Sequence, residues 1–283
     1  MQKKIMPLIP KTKIYCEPFF GGGSIFWSRE PSPVEIINDL HGDLVNLLRH
    51  LQDPRKHRKL KKRIAATLYS RDEFCLALEI LSGSSDLFNR AWAFYVTQNQ
   101  GFGGMAKSPG SWGRVFVSVR GMAMVAARWW SRFDSFDGWH KRLARAQIDN
   151  RDALEVIRYW DTADTTFYLD PPYVSSTRKS GGYKHECTDD FHAKLVDTII
   201  EIKGYAVLSG YASKLYSRLT DAGWVKTEFE VSCYVAGRTR GSGLRGKGSV
   251  SKKQKRTDCI WQNPKSVKHF ESTGGMFDEE SGE

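Results

Sequence analysis

The chain has 283 residues, one and a half to two domains' worth at roughly 100–200 residues per domain. Hydrophobic residues make up 40% of it and charged residues 27%, a globular composition with enough apolar side chain for a large core. The formal net charge of +11 favours a polyanion partner, most often nucleic acid.

No run of about 18 apolar residues offers a membrane-spanning helix, and the opening MQKKIMPLIPKTK has no apolar stretch suited to a signal peptide. Five cysteines, widely spread and without a CxxC pair, support neither a zinc ribbon nor a disulfide framework. A reduced, cytoplasmic compartment fits that usage.

In chain order, Ile14–Phe20 and Val34–Asn38 read as buried strands of an α/β sheet. Ser24 is placed to cap a helix after Gly21-Gly22-Gly23, and Asp43 opens a second with Leu44, Val45, Leu47, Leu48 and Leu51. From about Asp53 to Lys141 the alternation stops. Helical patterns at Leu60–Tyr69, Arg71–Leu81 and Leu87–Gln98 precede a glycine-rich, irregular stretch from Gly101 to Arg114. Trp92, Phe94 and Tyr95 are expected to pack in a core. Alternation resumes with strands at Thr166–Leu169 and Tyr205–Ser209, a helix capped by Thr188, and another over Ala212–Ala222 ended by Gly223. Val225–Val235 and Cys259–Gln262 have no helix between them and are expected to form an antiparallel hairpin. The organisation expected is a discontinuous, mainly parallel α/β domain (1–52 and 142–263), a helical insertion (53–141) and an acidic flexible tail (264–283).

Three clusters carry chemistry. In Tyr15-Cys16-Glu17-Pro18-Phe19-Phe20-Gly21-Gly22-Gly23-Ser24 a strand enters a glycine turn, where a ligand can approach the backbone closely. The order is unlike a dinucleotide fingerprint. In Asn38-Asp39 an acid ends the second strand, placed either to accept ribose hydroxyls or to cap a helix. Asp170-Pro171-Pro172-Tyr173 follows a buried strand. Two prolines stiffen the corner and fix where the Pro171 carbonyl points. A carboxylate, a carbonyl and an aromatic face together suit a planar ring bearing an exocyclic amine.

With these motifs in this order the sequence resembles the Dam-like DNA adenine-N6 methyltransferases. Their pattern of EPFxGxGS, then ND, then DPPY is met by Glu17–Ser24, Asn38-Asp39 and Asp170–Tyr173, and Ile148–Ile157 and Leu208–Tyr211 also fit. The resemblance covers about residues 9–54 and 145–262. It implies a Rossmann-like methyltransferase sheet with an inserted helical DNA-recognition domain, and S-adenosyl-L-methionine as cofactor. By the same resemblance Glu17, Phe19, Gly21 and Gly23 shape the cofactor pocket, Asp39 holds its ribose, Asp152 contacts its adenine, and Asp170 meets both cofactor and target base. The resemblance also implies a catalytic quartet of Asp170, Pro171, Pro172 and Tyr173 acting on adenine N6 of duplex DNA after base flipping. A GGK motif expected upstream of Ile9 is not matched; Lys3 and Lys4 sit at another spacing.

DNA contacts are expected from Asn99, Lys107 and Arg114 in and beside the glycine-rich segment, with Gln100 as a neighbour. Further contacts are expected from Arg178, Tyr183 and Lys184 after the quartet, and from Arg238, Arg240, Arg245 and Lys247 in a basic loop. From Gly237 to Arg256 that loop holds eight Lys or Arg and no acid. A second basic run, Arg55 to Arg63, holds seven Lys or Arg and His57. The histidines show no metal-ligand spacing, and no metal is expected. The enzyme is expected to be monomeric, bacterial or phage-encoded, nucleoid-associated, and suited to restriction-modification. Transfer to an RNA base or a cytosine-N4 amine, and a non-catalytic DNA-binding relative, stay open at this point.

Overall fold

A computed structural model describes residues 2–101, 108–114, 118–119, 121–172, 187–233 and 254–272. A short helix α1 (Gln2–Ile5) leads into β1 (Ile14–Glu17) and β2 (Val34–Asn38). Helices α2 (Gly42–Gln52), α3 (Pro54–Ala65), α4 (Arg71–Gly83) and α5 (Leu87–Gln100) follow. A two-stranded ribbon, β3 (Ser118–Val119) and β4 (Met122–Ala123), precedes α6 (Met124–Phe133) and α7 (Phe136–Leu143). The chain returns through β5 (Ala146–Asp149), α8 (Ala153–Trp160), β6 (Thr165–Leu169), α9 (Asp189–Ile200), β7 (Tyr205–Gly210) and α10 (Lys214–Asp221). It ends in β8 (Val225–Cys233), β9 (Gln254–Gln262) and α11 (Pro264–Ser272).

The chain divides into two compact units, Met1–Leu40 with Asp149–Val231 and Thr257–Glu283, and His41–Ile148 with Ser232–Arg256. The large sheet has seven strands in the order β5-β2-β1-β6-β7-β9-β8. β1 pairs in parallel with both β2 and β6, and β6 with β7, whereas β9 runs antiparallel to β7. β6 is buried along its whole length, as a central parallel strand covered on both faces must be. Cys16, Ile36, Phe167, Leu169 and Leu208 from the strands pack with Leu154 and Ile157 of α8, Leu195 and Ile199 of α9, and Tyr216 and Leu219 of α10. Burying a leucine or phenylalanine of this kind contributes about 1.5–3 kcal/mol.

Several boundaries differ from the sequence reading. No helix follows the glycine turn; residues 24–28 form successive turns. Trp27 N–H reaches Gly23 O and Arg29 N–H reaches Ile25 O, but Pro31 and Pro33 come too soon for a helix to grow. α2 is capped by His41, whose ring accepts from Leu44 N–H, while Asp43 pairs with Arg90 at 2.6 Å. α2 falls in the helical unit, where it packs on α5. Residues 264–272, expected to open a flexible tail, form α11. Asn263 anchors it: its Oδ1 accepts from the N–H groups of Ala206 and Ser266, and its Nδ2 donates to Gly204 O. β9 begins at Gln254, earlier than expected. Thr188 caps α9, and Gly223, at φ +84°, ends α10 as anticipated.

In the helical unit Trp92, Phe94 and Tyr95 are buried. Trp92 Nε1 donates to Thr67 Oγ1 at 2.8 Å, and Tyr95 packs against Trp129, Phe136 and Trp139.

Candidate active site at the carboxyl ends of the parallel strands

β1 leads to β2 on one side of the sheet, and β6 and β7 lie on the other. The order therefore reverses between β1 and β6. In an open α/β sheet this switch point, at the carboxyl ends of the strands, is where ligands bind. Glu17 ends β1 and Asp170 follows β6, the neighbouring parallel strand, so two acids lie at this edge close enough to feel each other's charge.

Glu17 is buried. Burial pushes its carboxyl pKa up to about 8 and the Asp170 charge adds to the rise, while the Tyr15 hydrogen bond, the Arg29 charge and the Phe26 N–H oppose it. Tyr15 OH donates to Glu17 Oε1 at 2.5 Å. The Tyr15 ring lies 3.7 Å from the Arg29 guanidinium, and Arg29 pairs with buried Glu35 at 2.9 Å and bonds Ser32 Oγ. A buried chain of Glu35, Arg29, Tyr15 and Glu17 thus supports the site from below.

Asp170 opens to solvent, but protein surrounds most of it, and this crowding raises its carboxyl pKa; the Ser209 hydrogen bond opposes the rise and Asp258 reinforces it. Ser209 Oγ, on β7, donates to Asp170 Oδ1 at 2.7 Å, and no hydrogen bond reaches Asp170 Oδ2 among the described residues. Pro171 is buried and Pro172 half-buried. Tyr173 lies outside the described residues.

The glycines divide their work. Gly23 sits at φ +61°, and a Cβ there would come within 2.3 Å of the Phe20 ring, so it closes the turn on its own neighbours. Gly21, at φ +48°, has nothing within 4 Å of where a Cβ would stand, and neither has Gly22, so this backbone faces open space. Asp39 Oδ2 accepts from Gly21 N–H at 2.8 Å and fixes the turn.

Asn38 knits the surrounding loops. Its Nδ2 donates to Pro18 O at 2.9 Å and to Arg151 O at 3.1 Å, and its Oδ1 accepts from Arg151 N–H at 2.9 Å. Asn150 Nδ2 reaches Asp39 O. Asp152 caps α8 by accepting from Leu154 N–H, and Phe19 meets Phe191 edge-on at 6.1 Å. Glu17, Phe19, Gly21, Asp39, Asp152 and Asp170 are thereby set along one edge of one compact unit. Sequence reasoning overlooked Ser209 and Arg29, placed Tyr15 in the first cluster without a role, and missed the stapling role of Asn38. Only the spacing of Leu208–Tyr211 and the asparagine beside Asp39 hinted at two of them.

This edge suits S-adenosylmethionine, a cation without phosphate. Two crowded acids favour positive charge, the bare backbone at Gly21 and Gly22 leaves a cradle, and no helix N-terminus follows the turn to attract a pyrophosphate.

The expected DNA-contacting residues fare differently. Asn99 Nδ2 donates to Tyr95 O, and its Oδ1 accepts from Arg132. Gln100 is buried and donates to Leu68 O. Arg114 is exposed. Lys107, Arg178, Tyr183, Lys184, Arg238, Arg240, Arg245 and Lys247 lie outside the described residues. His57 stacks on His140 with centroids 4.6 Å apart, and among the described residues no three metal-ligating side chains converge. No described helix is long and apolar enough to cross a membrane.

A mostly parallel sheet with a reversed strand next to one edge, carrying acids at the carboxyl edge of its switch point, defines a Rossmann-like methyltransferase. The family model for D12 class N6 adenine-specific DNA methyltransferases matches residues 2–229, and the chain belongs to that family. It is a DNA methyltransferase that uses S-adenosylmethionine to methylate adenine N6. The family assignment sets aside the RNA and cytosine-N4 alternatives.

Proposed function

We propose that Asp170, Pro171, Pro172 and Tyr173 form the catalytic corner, acting on an adenine flipped out of duplex DNA. The observation that supports this reading is the setting of Asp170: Ser209 pins one carboxylate oxygen, and among the described residues no hydrogen bond engages the other. Adenine's amino nitrogen is a weak nucleophile because its lone pair is delocalised into the ring. Asp170 Oδ2 and the Pro171 carbonyl would accept its two N–H bonds and favour a pyramidal nitrogen as the new bond forms. S-adenosylmethionine, when bound, supplies a methyl group made electrophilic by a sulfonium. Nitrogen must shed one proton for the product to be neutral, and a carboxylate with a raised pKa is a fitting acceptor. Tyr173 would stack on the ring and offset part of the few kcal/mol that flipping costs. Catalysis then rests on positioning and preorganised acceptors.

Glu17, Phe19, Gly21, Asp39 and Asp152 would hold the cofactor, Glu17 near its methionine end, with Gly23 shaping the turn beneath. Arg114, Lys107, the loop with Arg178, Tyr183 and Lys184, and the loop with Arg238, Arg240, Arg245 and Lys247 would contact DNA. The helical unit supplies target recognition; Asn99 takes part by positioning Arg132. The same reading makes the protein a cytoplasmic monomer acting on nucleoid DNA, of bacterial or phage origin, with a mark suited to restriction-modification.

Asp170→Ala tests the central assignment. Methyl transfer to DNA should be abolished while DNA binding persists, and near-normal turnover would defeat the scheme.

A further inference from the structure

α3 sorts its cations by face. His57, Leu60 and Ile64 are buried. On the flanks Lys61 pairs with Asp137 at 2.7 Å, and Arg63 bonds Asn89 with its guanidinium 4.1 Å from the Trp92 ring. Opposite the buried side, Arg55, Arg58, Lys59 and Lys62 are all exposed. Their spacing is i, i+3, i+4, i+7, so they form one stripe roughly 10 Å long at 1.5 Å per residue. Lys59 rests 4.3 Å over the Phe88 ring, and no acid pairs with any of the four among the described residues. The nearest acid in sequence, Asp53, serves as the N-cap and accepts from Arg55 and Lys56 N–H.

Within the stripe every neighbouring pair is like-charged and repulsive. Among the described residues no ion pair offsets that repulsion; only the Asp53 charge near Arg55 and the Phe88 ring under Lys59 temper it. A polyanion would offset it. Duplex DNA presents one charge per roughly 1.7 Å of axis, so a stripe of this length can meet several phosphates.

We propose that the outer face of α3 is a phosphate-binding surface for the DNA substrate, gripping the backbone without reading sequence. It is separate from the residues assigned above to DNA contact, and it does not depend on the roles given to Asp170–Tyr173.

The test uses the full chain with R55Q/R58Q/K59Q/K62Q, and measures duplex affinity by fluorescence anisotropy across salt concentrations. The slope of log K against log salt should flatten by about 0.9 for each phosphate that the variant no longer neutralises. Affinity at low salt should fall by more than tenfold, the two titrations should converge at high salt, and the weakening should appear in KM for DNA. Cofactor affinity by calorimetry should hold, and the melting temperature should stay level or rise as self-repulsion is relieved. A charge-matched control, K11Q/K13Q/K214Q/K268Q, uses lysines exposed elsewhere on the chain and should leave the slope near the parent value. An unchanged slope in the stripe variant, or an equal flattening in the control, would overturn the proposal. So would a variant that fails to bind RNA while its DNA binding stays intact. If the quadruple variant does not fold, R55Q/K59Q and R58Q/K62Q carry the test separately, each expected to take about half of the change.

Discussion

Ser209 Oγ lies 2.7 Å from Asp170 Oδ1, so a side chain on β7 sets the orientation of the acid at the end of β6. The two strands are paired in parallel, and the bond is made across that pair. Ser209 also stands 3.4 Å from Tyr168 OH and 3.3 Å from Leu169 O, so its own position is constrained.

Ser209→Ala should therefore lower kcat while leaving cofactor affinity close to the parent value. A hydrogen bond to a charged group is worth about 1.5–3 kcal/mol, which corresponds to a fall of roughly tenfold or more. The bond stabilises the carboxylate form, so its loss should raise the Asp170 pKa further. In the proposed role Asp170 would act as an acceptor only when ionised, so activity should fail as pH drops through its pKa. The acid limb of the kcat profile should shift to higher pH, as steady-state assays across pH would show.

Glu17→Gln should separate stability from function. The folded-state pKa of Glu17 is raised to about 8, above its unfolded value, so the native protein holds a proton that the unfolded chain releases. Stability is full below the unfolded pKa and erodes as pH climbs from there toward 8. Glutamine does not titrate. The variant's melting temperature should equal the parent's near pH 4 and exceed it increasingly up to pH 9, in scans without cofactor. Calorimetry at pH 8 should show weaker cofactor binding by the variant.

Tyr15→Phe removes one hydroxyl from the chain beneath Glu17. That hydroxyl stabilises the ionised acid, so its loss should push the Glu17 pKa higher. The pH at which cofactor affinity reaches its plateau should move upward. A lower melting temperature with an unmoved pH profile would mean that Tyr15 only fills space.

Gly23→Ala and Gly21→Ala should differ in kind. At Gly23 a left-handed φ combines with a 2.3 Å approach to Phe20, and a destabilisation of about 2 kcal/mol or more is expected. At Gly21 only the backbone penalty of about 1–2 kcal/mol applies, because the space is open. Chemical denaturation should rank them in that order. The Gly21 variant should keep its fold and lose cofactor affinity.

Asn38→Ala should leave Pro18 O, Arg151 O and Arg151 N–H without their partner, at about 1–3 kcal/mol for each group left buried. Hydrogen exchange at residues 18–23 and 150–152 should rise together.

Much of this architecture was legible because central parallel strands are covered on both faces. β1, β2, β6 and β7 stand out as apolar runs, and α9 and α10 carry local punctuation in Thr188 and Gly223. The positions of Glu17, Asp39 and Asp170 at strand ends were equally legible, since each sits in a short motif after an apolar run. What was missed depends on residues distant in sequence. Ser209 matters through Asp170, Arg29 through Tyr15, and α11 forms because Asn263 is bonded to Gly204 and Ala206. The helix expected after Gly23 failed for a local reason, the two prolines at 31 and 33. Composition also could not show that Tyr95 and Arg132 engage the Asn99 amide.

The pairing of Glu17 with Asp170 has a consequence for turnover. If Glu17 and Asp170 hold the cofactor as proposed, ionised acids at adjacent strand ends would favour the sulfonium donor over its neutral thioether product. Exchange of spent donor for fresh would then be favoured, and product inhibition should ease as pH rises and Glu17 ionises.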